Sequence, residues 1–232
     1  MKKFTADFET ATWLKDKTYV WAWAVCNIET EEIEYGNSID SFMNFCRLNK
    51  NSHIYFHNLK FDGEFIIYWL LKNDFIYIED RTKASKNTFT TLISDLGMFY
   101  QITIYFNKSS KITFIDSLKI IPFSVEQIAK SFNLEVSKLE LDYNKPRKAG
   151  HILTKEEKDY ITNDVLIVAK ALKVLFNEDL KKMTQGSNAL NDFKKILTSS
   201  KFIHYFPQLD YDVDKDLRKA YKRRFYLFKS NI

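Results

Sequence analysis

The chain has 232 residues, 45% hydrophobic and 28% charged, with two Cys, three Pro and five Gly. That is an ordinary globular composition with room for one core and a small appendage; two cysteines exclude a disulfide scaffold and a Cys-rich zinc site. The net charge of +5 is uneven, since residues 181–232 hold 12 of the 35 Lys and Arg but only 5 of the 30 Asp and Glu.

Lys3–Phe8 reads as a first strand and Thr18–Ile28 as a second, rich in Tyr, Val and Trp. Glu31–Gly36 returns as a third. Ser41–Leu48 reads as a short helix capped by Asp40 or Ser38. His53–His57 is a strand, followed by an amphipathic helix over Phe61–Leu71 with Phe61, Phe65, Tyr68 and Leu71 or Trp69 on related faces. Phe75–Ile78, Phe89–Ile93, Met98–Phe106 and Lys111–Ile115 are strand candidates. Ser124–Ser131 is a short helix, and Pro146–His151 a loop. Thr154 and Glu157 form a capping box that opens the longest helix, to Phe176. Gln185–Ser187 reads as a break before two or three short helical stretches. This order fits an α/β layer fold with a mixed sheet.

No apolar stretch is long enough to span a membrane. The N-terminus has basic residues with no apolar run behind them, so it is not read as a signal peptide. Cys26 and Cys46 read as buried thiols of a reducing cytosol. The basic tail is a polyanion footprint or a solvated Lys-rich surface. The 16% aromatic content supplies a large core and, as a second use, rings on which bases can stack.

Four carboxylates at three separated places carry the chemistry. Asp7 and Glu9 are two apart on a strand and share a face, while Phe8 turns to the other side. Asp62 lies one helical turn after Asn58 in TyrPheHisAsnLeuLysPheAspGlyGluPhe, and Asp164 one turn after Tyr160 in TyrIleThrAsnAsp. Crowded acids are costly unless a cation sits between them. Oxygen-only ligands suit magnesium or manganese, and two such ions suit phosphodiester cleavage.

Taken singly, each motif has a plainer reading: a wet strand face, a helix-start acid favoured by the dipole, a routine amphipathic pair. The run around Asp62 is more specific. His57, Phe61 and Phe65 surround it with rings, and Asn58 can donate to and accept from a base or sugar. A Tyr160 hydroxyl one turn from a metal-binding Asp164 can orient an attacking water. Asp116, Ser117, Leu118 and Lys138 have no meaning of their own by sequence; a strand end and a surface lysine are the default readings.

With these motifs in place, the chain resembles the 3′–5′ exonuclease domain of protein-primed family B DNA polymerases of small tailed phages, a DEDD exonuclease. AspPheGluThr is similar to the first exonuclease motif, TyrPheHisAsnLeuLysPheAspGly to the second and TyrIleThrAsnAsp to the third. The resemblance continues through AspSerLeuLysIleIleProPhe, LysLeuGluLeuAspTyr and MetThrGlnGlySerAsnAlaLeu, over nearly the whole chain. It implies a ribonuclease H-like α/β fold, a mixed central sheet flanked by helices. Residues 1–180 would be the exonuclease domain and 181–232 a basic helical extension packed on it.

The resemblance also implies roles. Asp7, Glu9, Asp62 and Asp164 would hold two Mg2+ or Mn2+ ions, Tyr160 would orient the water, and Lys138 matches a catalytic-site lysine. Thr10, Tyr55, His57, Asn58, Phe61, Phe65, Ser117 and Leu118 match positions that handle a single-stranded 3′ end. Two features depart from the family. The chain stops at Ile232, where a polymerase portion would begin. Within Tyr221–Phe225, Arg223 and Arg224 replace a Gly-Gly pair; they cannot copy its close backbone approach, but they keep phosphate attraction. Tyr221, Arg223 and Arg224 are therefore expected DNA contacts.

The expectation is a freestanding, metal-dependent 3′–5′ exodeoxyribonuclease acting on single-stranded DNA or frayed 3′ ends. Its setting would be a bacterial cytoplasm, encoded by a phage or mobile element, with no membrane partner. Two alternatives stand beside it. One is the exonuclease subunit of a split polymerase, partnered by a separate polymerase subunit or a terminal protein. The other is a non-catalytic regulator that binds DNA or terminal protein. Acids kept at all four positions favour the enzyme.

Overall fold

The structure, a computed structural model, describes residues 1–229 apart from 12, 14–17, 136–138 and 144; side chains of 221–229 lie outside that description. In chain order the elements are β1 (Lys3–Thr10), β2 (Val20–Asn27), β3 (Ile33–Gly36), α1 (Ile39–Leu48), β4 (Ser52–Phe56) and α2 (Leu59–Lys72). Then come β5 (Ile76–Tyr77), β6 (Thr88–Ile93), β7 (Phe99–Tyr105), β8 (Lys111–Asp116), α3 (Val125–Ser131) and α4 (Lys155–Asn177). Last are α5 (Gln185–Leu197), α6 (Ser199–Tyr205) and α7 (Tyr211–Lys229).

The strands form one mixed sheet in the order β3-β2-β1-β4-β8-β7-β6-β5. Its centre is parallel, β1 beside β4 beside β8. Antiparallel hairpins flank that centre, β1–β2–β3 on one side and β8–β7–β6 on the other. This is the mixed, helix-flanked α/β sheet of a ribonuclease H-like fold. Two apolar clusters cover its two faces. Phe4, Phe8, Phe42, Phe56 and Phe114 build one with α1 and α2. Trp21, Ile28, Tyr55, Ile161, Leu172 and Phe176 build the other with α4. Strand β1 serves both, because alternate residues point to opposite faces: Phe8 packs edge-on against Phe42 and Phe56, while Thr5 donates to the Val165 carbonyl of α4 at 2.8 Å.

Local chemistry sets the helix ends. Ser38 is the N-cap of α1, its hydroxyl accepting from the Ser41 N–H. The Thr154–Glu157 capping box at α4 forms in both directions. Cys26 and Cys46 are buried free thiols; burial pushes the Cys26 thiol up to about 12.

Two expectations need correction. On α2 the face expected to be apolar is split: Phe61, Tyr68 and Leu71 are exposed, while Phe65 and Trp69 pack on the core with Leu59, Ile66 and Leu70. The run Phe65–Leu71 is large and apolar or aromatic at every position, so periodicity alone cannot choose its inward face. Packing chooses it, with Gly63 against β7, where an added Cβ would lie 2.9 Å from Ile102. The second correction concerns Gln185–Ser187, which forms the first turn of α5 rather than a break.

The chain divides into two compact units, Met1–Gln185 and Gly186–Ile232. The second has its own small ring cluster of Phe193, Phe202 and Phe206, with centroids 5.2–6.2 Å apart. Among the described residues no helix is long and apolar enough to cross a membrane.

Candidate active site

The carboxyl ends of β1 and β4, the start of α2 and the first half of α4 surround a pocket of about 280 Å3. Asp7, Glu9 and Thr10 reach it from β1, His57, Asn58, Phe61 and Asp62 from the β4–α2 junction, and Tyr160 and Asp164 from α4. Residues distant in sequence meet because β4 pairs in parallel with β1, Ala6 opposite Phe56. That register puts the residues after Phe56 beside those after Ala6.

The sharpest electrostatic feature of the pocket is Asp62. Asp62 is 2% exposed, and its Oδ1 is buried with no hydrogen-bond partner among the described residues. Burial pushes its carboxyl well above the ordinary range, and the charge of Asp7 pushes the same way. A buried acid beside another acid is the environment a divalent cation relieves. No group of three or more His, Cys, Asp or Glu among the described residues forms a ready-made metal cage. The fit of a cation rests on the all-oxygen donors lining one pocket and on the orphaned Asp62 oxygen.

Tyr160 is 2% exposed. Burial raises its pKa, followed by its hydrogen bond to Tyr143 and the charges of Glu9 and Asp164. Its hydroxyl is therefore a protonated donor at neutral pH. The Tyr143 hydroxyl stands 2.5 Å away, with the two rings perpendicular.

The junction carrying Asn58 and Asp62 is held by Asp116, at the end of β8. Its Oδ1 accepts from the backbone N–H groups of Asn58, Leu59 and Leu118 at 3.0–3.3 Å. Asn58 is in the left-handed region, φ 79°, where Asn is among the tolerated residues. Ser117 is fully buried and donates to the Phe56 carbonyl at 3.1 Å. His57 Nδ1 lies 3.1 Å from the Ser117 hydroxyl and its Nε2 2.7 Å from the Phe123 carbonyl.

Of the expected site residues, Asp7, Glu9, Thr10, His57, Asn58, Phe61, Asp62, Tyr160 and Asp164 line the one pocket. Phe65 follows Phe61 along α2, their centroids 5.7 Å apart. Ser117 and Leu118 sit behind the pocket, in the network of Asp116. Tyr55 does not reach the pocket; it packs on Phe176 and lines a different cavity. Lys138 lies outside the described residues, as do the side chains of Tyr221, Arg223 and Arg224 in α7. Sequence reasoning missed Tyr143 and gave Asp116 no role. Tyr143 ends the run LysLeuGluLeuAspTyr that carries the resemblance, yet no role was read from it, and Asp116 at a strand end before a Ser could have been read as a turn clip.

The comparisons agree with this fold. A family model described as DNA polymerase type B, organellar and viral, matches residues 43–153 and 140–222. Over 229 residues the chain is 45% identical to the DNA polymerase of Bacillus phage phi29, covering 97% of this chain and 39% of that protein. It is 33% identical over 235 residues to the DNA polymerase of Streptococcus phage Cp-1, covering 93% of this chain and 38% of that protein. The structure of phi29 DNA polymerase complexed with single-stranded DNA matches with a TM-score of 0.85 at 42% identity, over 94% of this chain and 39% of that one. The chain thus spans about two fifths of the length of these relatives. It belongs to the organellar and viral type B DNA polymerase family, as a region related to the exonuclease domain of the protein-primed phage enzymes.

Proposed function

We propose that these residues carry a metal-dependent 3′–5′ exonuclease acting on single-stranded DNA or a frayed 3′ end, and that they suffice for the hydrolysis. The observation that carries the reading is Asp62, a buried acid with an orphaned oxygen, pushed up by burial and by Asp7 in a pocket that Glu9 and Asp164 also line. Asp7, Glu9, Asp62 and Asp164 would hold the ions, and their all-oxygen chemistry favours magnesium or manganese. Divalent ions held by these carboxylates would supply an activated water and stabilisation of the leaving 3′ oxygen.

The chain's own groups do the rest. Tyr160, kept protonated, donates its hydroxyl hydrogen bond to the attacking water or the phosphate. Tyr143 holds that hydroxyl in place from the other side. The exposed ring of Phe61, continued by Phe65, stacks on bases and tolerates any of them. Asn58 and Thr10 offer donors and acceptors to the terminal nucleotide. The single-stranded DNA in the matched phi29 structure supports this choice of substrate.

The test is a degradation assay on 5′-labelled and 3′-labelled single strands, with and without magnesium or manganese. A ladder shortening from the 3′ end, abolished by chelator, is expected. Tyr160→Phe is expected to lower turnover about 10²-fold while leaving strand affinity nearly unchanged. Degradation that survives excess chelator, or proceeds from the 5′ end, overturns the reading.

A further inference from the structure

A second cavity, of about 360 Å3, opens on the α4-side face of the sheet and shares no lining residue with the acidic pocket. His53 and Tyr55 of β4, Gln101 of β7 and Lys111, Thr113 and Ile115 of β8 form its floor, and Lys181, Lys182 and Met183, after α4, form a wall. The strand register puts a polar row across this face: Lys3 opposite His53, His53 opposite Thr113, and Thr113 opposite Thr103. Three lysines and a histidine line the cavity, with no carboxylate among its described lining residues. On that wall Lys181 pairs with Asp179 at 3.0 Å.

We propose that this cavity is a second ligand site, taking the phosphate group of a nucleotide. Compact ammonium groups are suited to phosphate as point charges. Neutral donors stand among them in Thr113 and Tyr55, whose hydroxyl burial keeps protonated, its pKa raised to about 12. Ile115, Ile120 and Met183 supply an apolar side for the sugar or base, and the volume falls within the roughly 300–1,000 Å3 of small-molecule sites.

His53 lies in the same field. Burial depresses its pKa, and the charges of Lys3, Lys111 and the amino terminus depress it further. A dianion among these groups, facing His53 from β1, β8 and the segment after α4, reverses that balance and favours the protonated ring. This site is distinct from the acidic pocket and does not depend on exonuclease activity.

The experiment uses the full chain carrying Asp7→Ala and Asp62→Ala, in metal-free buffer so that no strand is cut. dAMP, inorganic phosphate and a short oligo(dT) are titrated while the His53 ring and Thr113 amide resonances are followed. Saturable shifts with dAMP are expected at a Kd below about 1 mM, together with a rise in the His53 pKa. Lys111→Gln with Lys182→Gln, checked for native circular dichroism, is expected to weaken binding roughly tenfold. Saturation by oligo(dT) as well assigns the site to strand phosphates, and saturation by dAMP alone assigns it to free nucleotide; both support it. No saturable shift with any of the three, or binding unchanged by the lysine substitutions, overturns it. Should the double variant misfold, the same titration on Lys111→Gln alone decides between these outcomes.

Discussion

Asp62 and Glu157 are almost equally buried, 2% and 3% exposed, yet their surroundings push the two carboxyls in opposite directions. At Glu157 burial alone would raise the pKa, but the Arg147 guanidinium, the Thr154 N–H and His151 outweigh it and bring it down to about 2. Arg147 Nε lies 2.6 Å from one Glu157 oxygen and His151 Nε2 2.7 Å from the other. The Arg147 guanidinium also sits 4.7 Å from the Trp21 ring and donates to the carbonyls of Asp142 and Lys145. At Asp62 burial and Asp7 both raise the carboxyl, and the backbone donors of Phe8 and Asp62 offset only part. The Glu157 cluster is closed within the chain, whereas the Asp62 cluster leaves one oxygen without a hydrogen bond among the described residues. Burial makes both acids consequential; the partners decide whether the result is a fastener or a binding site.

The hardest test of that contrast removes the open cluster. Asp7→Ala with Asp62→Ala is expected to lower hydrolysis by at least about 10⁴-fold, the several kcal/mol that metal-assisted chemistry supplies, while the far-ultraviolet spectrum stays native. A double variant that still shortens labelled strands at a tenth of the wild-type rate would falsify the carboxylate reading.

Opening the closed cluster acts on stability instead. Arg147→Ala strands a buried carboxylate and is expected to cost about 3–5 kcal/mol in urea unfolding. It also frees the loop that carries Tyr143. A loss under about 1 kcal/mol would make the cluster no stronger than a surface ion pair.

Acid sharpens the same point without mutation. Because the Glu157 pKa is lowered in the folded chain to about 2 from an ordinary 4.5, its stabilisation is complete above the unfolded value. It disappears as pH falls from about 4.5 to about 2. That contribution is on the order of 3 kcal/mol at neutral pH. Glu157→Gln is expected to flatten the stability profile in this window; an unchanged profile would assign the acid sensitivity to other groups.

The smallest effect has the opposite sign. Asp62, with its pKa raised, opposes folding at neutral pH, and the opposition fades as pH falls through the folded pKa. Asp62→Asn is expected to stabilise the metal-free protein by about 1 kcal/mol and to remove the thermal shift produced by magnesium or manganese. Lower stability in the variant would show that the acid is already compensated within the chain.

Much of this was legible beforehand, where the information is local. Alternation put Asp7 and Glu9 on one face of β1, with Phe8 on the other. The Thr154–Glu157 capping box was visible as a spacing. What failed was local information with two solutions. The Phe65–Leu71 run of α2 is apolar or aromatic throughout, so its inward face was set by the fit of Gly63 against Ile102 and not by periodicity. Gln185–Ser187 looks like a break, yet it is the first turn of α5.

By itself the sequence determined the element order, the strand face that carries the acids, the helix caps and the family resemblance. These depend on neighbours within a turn or a pleat, or on long matching runs. Only the tertiary structure decided that the end of β1 would meet the start of α2, through the parallel register of β1 and β4. It also decided that Asp116 would clip that junction, that Tyr143 would meet Tyr160, and that Glu157 would be neutralised while Asp62 would not. These pairings join residues from 10 to 58 positions apart. Packing chooses such partners, and no short-range pattern encodes them.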